Sequence, residues 1–299
     1  MQFSRTLIAL AVTAAAFNAP AGAQEAGGTL AKIRDAKTIV VGHRESSVPF
    51  SYLGADQQPV GYMMDLCAKV VDAVKDRLKM PELAVRYQAV TSQNRIPLMQ
   101  NGTIDIECGS TTNSVARQQQ VAFSVTPFIT SIRMVVRKDS GIKTIADLDG
   151  KPLVTTTGTT SDKLIKDNEK GQSINVTNVY GKDHADSFLM VASGRASAFV
   201  MDDILLAGLM ANAKDPAQFE IVGPSLRDEP YGVMLRKGDP EFKALVDDTL
   251  TGMMKSGEVA KVYAKWFQSP IPPRNVNLNF PMSEALRLAL TTPTDKGVE

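Results

Sequence analysis

The sequence predicts an α/β protein with mostly parallel sheet, suggesting two similar halves. Three observations lead there. Short β-branched or apolar runs alternate with amphipathic helical stretches along the chain. Clusters of arginine, glycine and hydroxyl residues fall repeatedly just after a strand and just before a helix, where open α/β sheets border their crevices. The 299 residues, 43% apolar and 22% charged, are enough for one large core or two ordinary ones. This composition excludes collagen-like repeats, low-complexity disorder and a disulfide-dense scaffold. With 33 Lys+Arg against 32 Asp+Glu, the formal charge of +1 supplies no general attraction for nucleic acid or an anionic membrane.

Residues 1–23 read as an export signal rather than as part of the fold. Arg5 supplies a positive start, residues 6–17 are nearly continuous apolar and small, and Ala21-Gly22-Ala23 gives a small-x-small cleavage pattern before Gln24. The apolar run is well short of the roughly 20 residues that span a bilayer. Removing Arg5 with this segment leaves 32 positive and 32 negative side chains, a formally neutral mature chain. An exported, non-spanning protein is expected, periplasmic in a Gram-negative source.

The elements follow in order. Residues 30–37 read as a helix and 38–42 as a β-branched strand. Residues 49–61, containing Pro and Gly, lead into a strong amphipathic helix. Met63, Leu66, Cys67, Val70 and Val74 share one face, opposite Asp65, Lys69, Asp72, Lys75 and Asp76. A strand at 85–90, a short helix at 96–100 and a strand at 104–107 come next, the last two joined by an Asn101-Gly102 turn. The sheet pattern pauses near 127–137, where one half could pass into the other. Alternation then resumes: strands at 153–156, 174–179 and 198–201, each followed by a helix, at 161–169, 184–192 and 204–213. A strand is expected at 231–236. Two helices then follow Pro240, interrupted by Gly257 and presenting Trp266 as a core anchor. Pro270-Ile271-Pro272-Pro273 ends the regular pattern, and 283–290 is a short helix in the tail. Cys67 falls in a helix and Cys108 at a strand end, so separate buried thiols and a Cys67–Cys108 bridge both remain open. No Cys/His/carboxylate cluster has metal-ligand spacing.

The chemistry-bearing segments sit at strand ends. Arg44, in Gly42-His43-Arg44, directly follows a strand. In Thr91-Ser92-Gln93-Asn94-Arg95, Ser92 is a plausible helix N-cap, and Arg95 could add a bidentate fork for an anion. Gly109-Ser110-Thr111-Thr112-Asn113-Ser114 lacks the Gly-Lys-Ser/Thr of a phosphate loop but can surround a carboxylate, and it leads to Arg117. Residues 155–161 repeat that device. Asp202 and Asp203 end another strand, one suited to a cation and the other to capping. His184 opens a helix, and its ordinary reading is an exposed or structural histidine. Ser161, His184 and Asp202 could be assembled into a catalytic triad, but no Gly-x-Ser-x-Gly elbow supports it.

From Gly42 to Ser51 the chain resembles periplasmic amino-acid-binding proteins, and more specifically the glutamate/aspartate-binding components of ABC uptake systems in solute-binding protein family 3. Gly61-Tyr62 with Asp65, Thr91 to Leu98, Glu107 to Asn113, Gly158-Thr159-Thr160-Ser161, Lys182-Asp183-His184 and Trp266-Phe267 strengthen the match over essentially the whole mature chain. The resemblance implies a type II bilobal fold, two α/β lobes joined by two crossing strands. Lobe 1 would hold 24–131 plus 235–299, and lobe 2 would hold 132–234. It implies no cofactor, a monomer, and a membrane permease of an ABC transporter as partner. In this family pattern Arg117 clamps the ligand α-carboxylate with Ser110, Thr112 and Thr160 as helpers, and Asp202 receives the α-ammonium. Arg44, Ser92, Arg95 and His184 recognise the acidic side chain of L-glutamate or L-aspartate. An exported enzyme on the same scaffold, such as a small-acid dehydratase, and a sensor reporting occupancy to a receptor are the competing classes.

Overall fold

The predicted alternation takes shape as two large sheets flanked by helices, with two smaller sheets beside them. The computed structural model describes residues 28–171 and 174–299, so the expected export signal at 1–23 lies outside the described residues. The chain begins with α1 (Gly28–Ala36), β1 (Thr38–His43) and three short strands, β2 (Ser46–Ser47), β3 (Ser51–Leu53) and β4 (Pro59–Val60). These lead into α2 (Tyr62–Leu78), β5 (Ala84–Ala89), α3 (Arg95–Gln100), β6 (Ile106–Glu107), the single turn α4 (Val115–Gln118) and β7 (Ala122–Phe123). A ten-residue strand, β8 (Phe128–Arg137), opens the second stretch of β9 (Pro152–Thr156), α5 (Thr160–Lys170), β10 (Thr177–Gly181), α6 (His184–Ala192), β11 (Ala198–Asp202), α7 (Asp203–Ala211) and β12 (Phe219–Val222). The chain returns through β13 (Asp228–Tyr231) to β14 (Met234–Leu235). It ends with α8 (Pro240–Lys255), α9 (Glu258–Phe267), β15 (Pro270–Ile271), β16 (Val276–Asn277) and α10 (Glu284–Thr291).

The first sheet has the order β5-β1-β6-β14-β7 and the second β10-β9-β11-β8-β12. In each, three strands pair in parallel and two antiparallel pairings complete the other side, so a single strand, β14 in the first and β8 in the second, runs against its neighbours. Strand directions are therefore mostly parallel, as the sequence suggests, with one reversed strand in each sheet. Two strands carry the chain between them. Residues 128–131 of β8 pair with β13, while its later residues pair with β11 and β12.

Two expectations need correcting here. The apparent pause at 127–137 holds β8, the longest strand among the described residues. Thr130, Ser131 and Arg133 break the apolar run, yet Phe128, Thr130, Ile132 and Met134 are buried while the residues between them are half-buried, which is strand periodicity. The single strand expected at 231–236 is two, β13 and β14. Tyr231 pairs with β8, and Met234 pairs with β6 and β7.

Packing fixes the base of the crossing strands. α2, α8 and α9 contribute to a core that includes an aromatic cluster around Phe50, Tyr62, Phe128, Tyr231, Tyr263 and Phe267. Phe128 stacks on Phe267 at 5.0 Å between ring centroids, and Phe50 meets Phe128 at 4.7 Å and Tyr231 at 5.0 Å. Such contacts are worth about 0.5–1.5 kcal/mol each beyond the area they bury. Because Phe128 and Tyr231 belong to the crossing strands, this cluster also orients the Tyr231 hydroxyl. Cys67 of α2 and Cys108, just past β6, form a disulfide with Cα atoms 6.2 Å apart. It ties the amphipathic helix to the strand end that leads into the hydroxyl-rich loop.

Candidate ligand site

Parallel strands place their carboxyl ends side by side, and the loops leaving those ends in the two sheets face one another. Arg44, Ser92, Arg95, Ser110, Thr112, Arg117, Thr160, His184 and Asp202 are all buried, none more than 9% exposed. Arg44 follows β1, and its Nη2 lies 3.4 Å from Nε2 of His184 at the start of α6. The other imidazole nitrogen, Nδ1, is 3.1 Å from the Thr156 hydroxyl at the end of β9. His184 is thus neither exposed nor merely a helix-start residue.

Arg95 donates from Nη1 to the Thr111 hydroxyl at 2.5 Å and to the Ser110 carbonyl at 3.4 Å. The Thr111 hydroxyl donates in turn to Glu107 Oε2 at 2.5 Å. Ser110 Oγ donates to Ser47 Oγ at 3.2 Å. Arg117 reaches across both loops. Its Nη1 donates to the Thr112 carbonyl at 2.9 Å and its Nη2 to the Gly158 carbonyl at 3.2 Å. Gly158 has φ +81°, and a Cβ there would lie 2.8 Å from Gln93 Cα and 3.0 Å from the Ser92 carbonyl oxygen. Only glycine allows the two loops to approach this closely. The Thr112 and Thr160 hydroxyl oxygens are 3.5 Å apart, and Thr160 Oγ1 donates to Glu229 Oε2 at 2.7 Å.

Asp202 accepts a hydrogen bond from the Tyr231 hydroxyl. Its neighbour Asp203 accepts from Thr130 Oγ1 at 2.6 Å and from the Ile204 amide at 2.7 Å. Asp203 therefore joins α7 to β8, and Asp202 is the carboxylate left for a cation. Ser92 is not the helix cap that its position suggested. Thr91 and Asn94 close that turn reciprocally, while the buried Ser92 hydroxyl has no protein partner among the described residues. Ser161, His184 and Asp202 make no hydrogen bonds to one another among the described residues, so the triad does not assemble.

Electrostatics register the crowding. Burial, reinforced by Arg95, lowers the Arg44 pKa to about 10, and Glu107 opposes this. Burial and Arg95 lower Arg117 to about 9, against the pull of Glu229, Asp202 and Glu107. Arg95 itself is lowered by burial. His184 is held well below its ordinary value by burial and then by Arg44 and Arg95, so its ring is neutral. Burial and Glu229 push Asp202 up to about 8, although the Tyr231 hydrogen bond works the other way. These mutual influences place the three guanidiniums, Glu107, Asp202 and Glu229 in one field.

Arg44 Nη1, Arg95 Nε, Ser92 Oγ, Glu107 Oε1 and Asp202 Oδ1 are buried without a protein hydrogen-bond partner among the described residues. An unsatisfied buried polar group costs about 1–3 kcal/mol. Donors and acceptors concentrated in this way suit a small molecule bearing both anionic and cationic groups. Among the described residues no group of three or more His, Cys, Asp or Glu side chains could hold a metal ion. Sequence reasoning passed over Glu107, Glu229 and Tyr231. The signal for Glu107 is a carboxylate at the end of a strand that leads into the hydroxyl-rich loop.

A match to the bacterial extracellular solute-binding proteins, family 3, covers residues 39–269. The chain is 51% identical to an L-glutamate/L-aspartate-binding protein of Pseudomonas aeruginosa, over 100% of this chain and 99% of the relative. It is 50% identical to a glutamate/aspartate import solute-binding protein of Escherichia coli K12, over 98% of this chain and 97% of the relative. A crystal structure of a variant of ArgBP from T. maritima aligns with a TM-score of 0.72 at 27% identity, covering 80% of this chain and 99% of that one. Two sheets joined by two crossing strands, with buried arginines between them, thus coincide with a family match over most of the chain. The chain belongs to the bacterial extracellular solute-binding proteins of family 3.

Proposed function

We propose that the chain binds an acidic amino acid, L-glutamate and/or L-aspartate, between two closing lobes and delivers it, unchanged, to the membrane permease of an ABC importer. Lobe 1 comprises 24–131 plus 235–299 and lobe 2 comprises 132–234. The exported protein works as a monomer in the periplasm. The names of the full-length relatives support the ligand class. The observation that carries the reading is the meeting of Arg44, Arg95 and Arg117 with Asp202 in one buried space between the sheets.

At neutral pH such a ligand carries two carboxylates and one ammonium. Taking these groups out of water is costly unless each is paired and hydrogen-bonded. Arg117, helped by Ser110, Thr112 and Thr160, holds the α-carboxylate, and Asp202 takes the α-ammonium. Arg44 and Arg95, with Ser92 and the neutral His184, take the second carboxylate. A neutral side chain leaves those two guanidiniums poorly compensated, which is the source of selectivity. Arg44 with His184 and Arg117 with the Gly158 carbonyl make contacts across the two lobes, and a ligand that bridges them as well favours the closed state.

The test is calorimetric titration of ligand-free protein with L-glutamate, L-aspartate, L-glutamine and L-asparagine, followed by mass analysis of the bound molecule. Tight binding of either acid, weak binding of both amides and recovery of the intact ligand are expected. Equal affinity for acids and amides refutes the side-chain assignment. A chemically altered ligand selects an enzyme instead.

A further inference from the structure

Arg117 lies on α4, a helix of four residues. Helix nucleation is unfavourable, so one turn cannot hold its own orientation and depends on what flanks it. On its inner side, the loop leading to α4 is paired with the crossing strand. The Asn113 amide donates to the Pro230 carbonyl at 2.7 Å, and the Gly232 amide donates to the Thr111 carbonyl at 3.0 Å. On its outer side, the loop is paired with the last residues of the chain. The Val298 amide donates to the Asn113 carbonyl at 3.0 Å, and the Val115 amide donates to the Val298 carbonyl at 2.9 Å. Asn113 Nδ2 and Gln118 Nε2 both donate to the Asp295 carbonyl, at 2.7 and 2.9 Å.

The tail is itself anchored at separate points. Lys243 of α8 pairs with Asp295 at 2.9 Å, and the Thr126 amide, between β7 and β8, donates to the Thr294 carbonyl at 2.9 Å. Arg227 Nη1 donates to the Glu299 carbonyl at 3.2 Å, and the same guanidinium pairs with the buried Glu229 beside the site. Gly297 lies against the loop backbone, where a Cβ would meet the Ser114 carbonyl carbon and the Val115 nitrogen at 2.9 Å. This tail lies beyond residue 269, where the family match ends.

We propose that residues 294–299 form a strap that positions Arg117 and thereby sets how long the bound acidic amino acid stays. The proposal rests on the reading that Arg117 grips the ligand α-carboxylate. The strap touches no ligand; it closes the outer edge of the loop whose inner edge the crossing strand closes. Its loss lets the α4 turn fray, and the Arg117 fork then spends less time aligned with the carboxylate. Release accelerates more than capture slows, because the loop still samples the aligned geometry.

The experiment measures association and dissociation of labelled L-glutamate for the full chain, for a chain ending at Pro293, and for Val298→Pro, which removes the amide donated to Asn113 and keeps a carbonyl at 298. Each is made in the native and the Arg117→Lys background. Dissociation about tenfold faster for the shortened chain and several-fold faster for Val298→Pro is expected, with association within threefold. Both effects should largely vanish in the Arg117→Lys background, because the strap then has no fork to align. Unchanged dissociation, or the same acceleration with and without the arginine, overturns the strap. Native binding by Arg117→Lys alone instead overturns the reading of Arg117, whatever the tail does. A shortened chain too unstable to assay leaves Val298→Pro to decide the matter.

Discussion

Replacing Asp202 with asparagine separates the affinity of the site from the stability of the lobes, because the two should move in opposite directions. The Asp202 carboxyl is buried against Glu229, which raises its pKa from 3.8 to about 8. Its folded value is above its unfolded value, so between about pH 4 and pH 8 the folded protein keeps a proton that the unfolded chain has given up. Stability from this group is therefore full at low pH and is lost as pH rises through that window. The complete difference corresponds to about 6 kcal/mol. Asparagine stays neutral throughout, so the ligand-free Asp202→Asn protein should lose less stability than the native protein between pH 5 and pH 8. Ligand binding runs the other way. An ammonium beside Asp202 needs the charged carboxylate, and losing one partner of a buried charge pair costs about 2–5 kcal/mol, roughly 30- to 5,000-fold in affinity. Denaturant titrations across pH give the first quantity and calorimetry the second. Calorimetry at pH 6.5–7 in buffers of different ionisation enthalpy should also show close to one proton released per L-glutamate bound by the native protein, and none from this carboxyl in the variant. Affinity within threefold of native, or identical proton release in the two proteins, refutes the assignment of Asp202.

Other substitutions divide the site further. Arg95→Ala should weaken L-glutamate binding by about 2–5 kcal/mol while the lobes stay folded, and it should narrow the preference for L-glutamate over L-glutamine; calorimetry with a circular dichroism control checks both. Glu107→Gln removes the carboxylate that offsets Arg44 and Arg95, so the ligand-free protein should lose about 3 kcal/mol in denaturant titration. Its stability should recover in part when L-glutamate supplies a replacement negative charge. Breaking the Cys67–Cys108 bridge, which closes a sequence separation of 41, should cost about 4 kcal/mol of stability, read from unfolding of a Cys67→Ser/Cys108→Ser protein. Small-angle scattering should show a more compact molecule with L-glutamate than without it; an unchanged radius of gyration argues against lobe closure.

Much of this molecule is written in local pattern. The apolar stripe from Met63 to Val74 dictates α2 wherever the chain goes. The positions of Arg44, Arg95, Arg117 and Asp202 at or beyond strand ends mark a site, because parallel strands bring their carboxyl ends to one edge. The pairing of the lobes came from resemblance rather than periodicity. What the sequence does not contain is the sum of contacts between distant segments. A strand interrupted by polar residues, β8, hides its length until its three partners are known. The Ser92 hydroxyl looks like a cap until Thr91 and Asn94 are seen to close the turn. Glu107, Glu229 and Tyr231 gain meaning only from charges and hydroxyls brought beside them by folding. The same holds for the bridge between Cys67 and Cys108, and for a C-terminal tail that reads as polar residue by residue yet pairs with the loop carrying Arg117. Hydrophobic period is a property of neighbours along the chain, whereas burial, pKa and hydrogen-bond satisfaction depend on neighbours in space, and only the tertiary fold decides who those are.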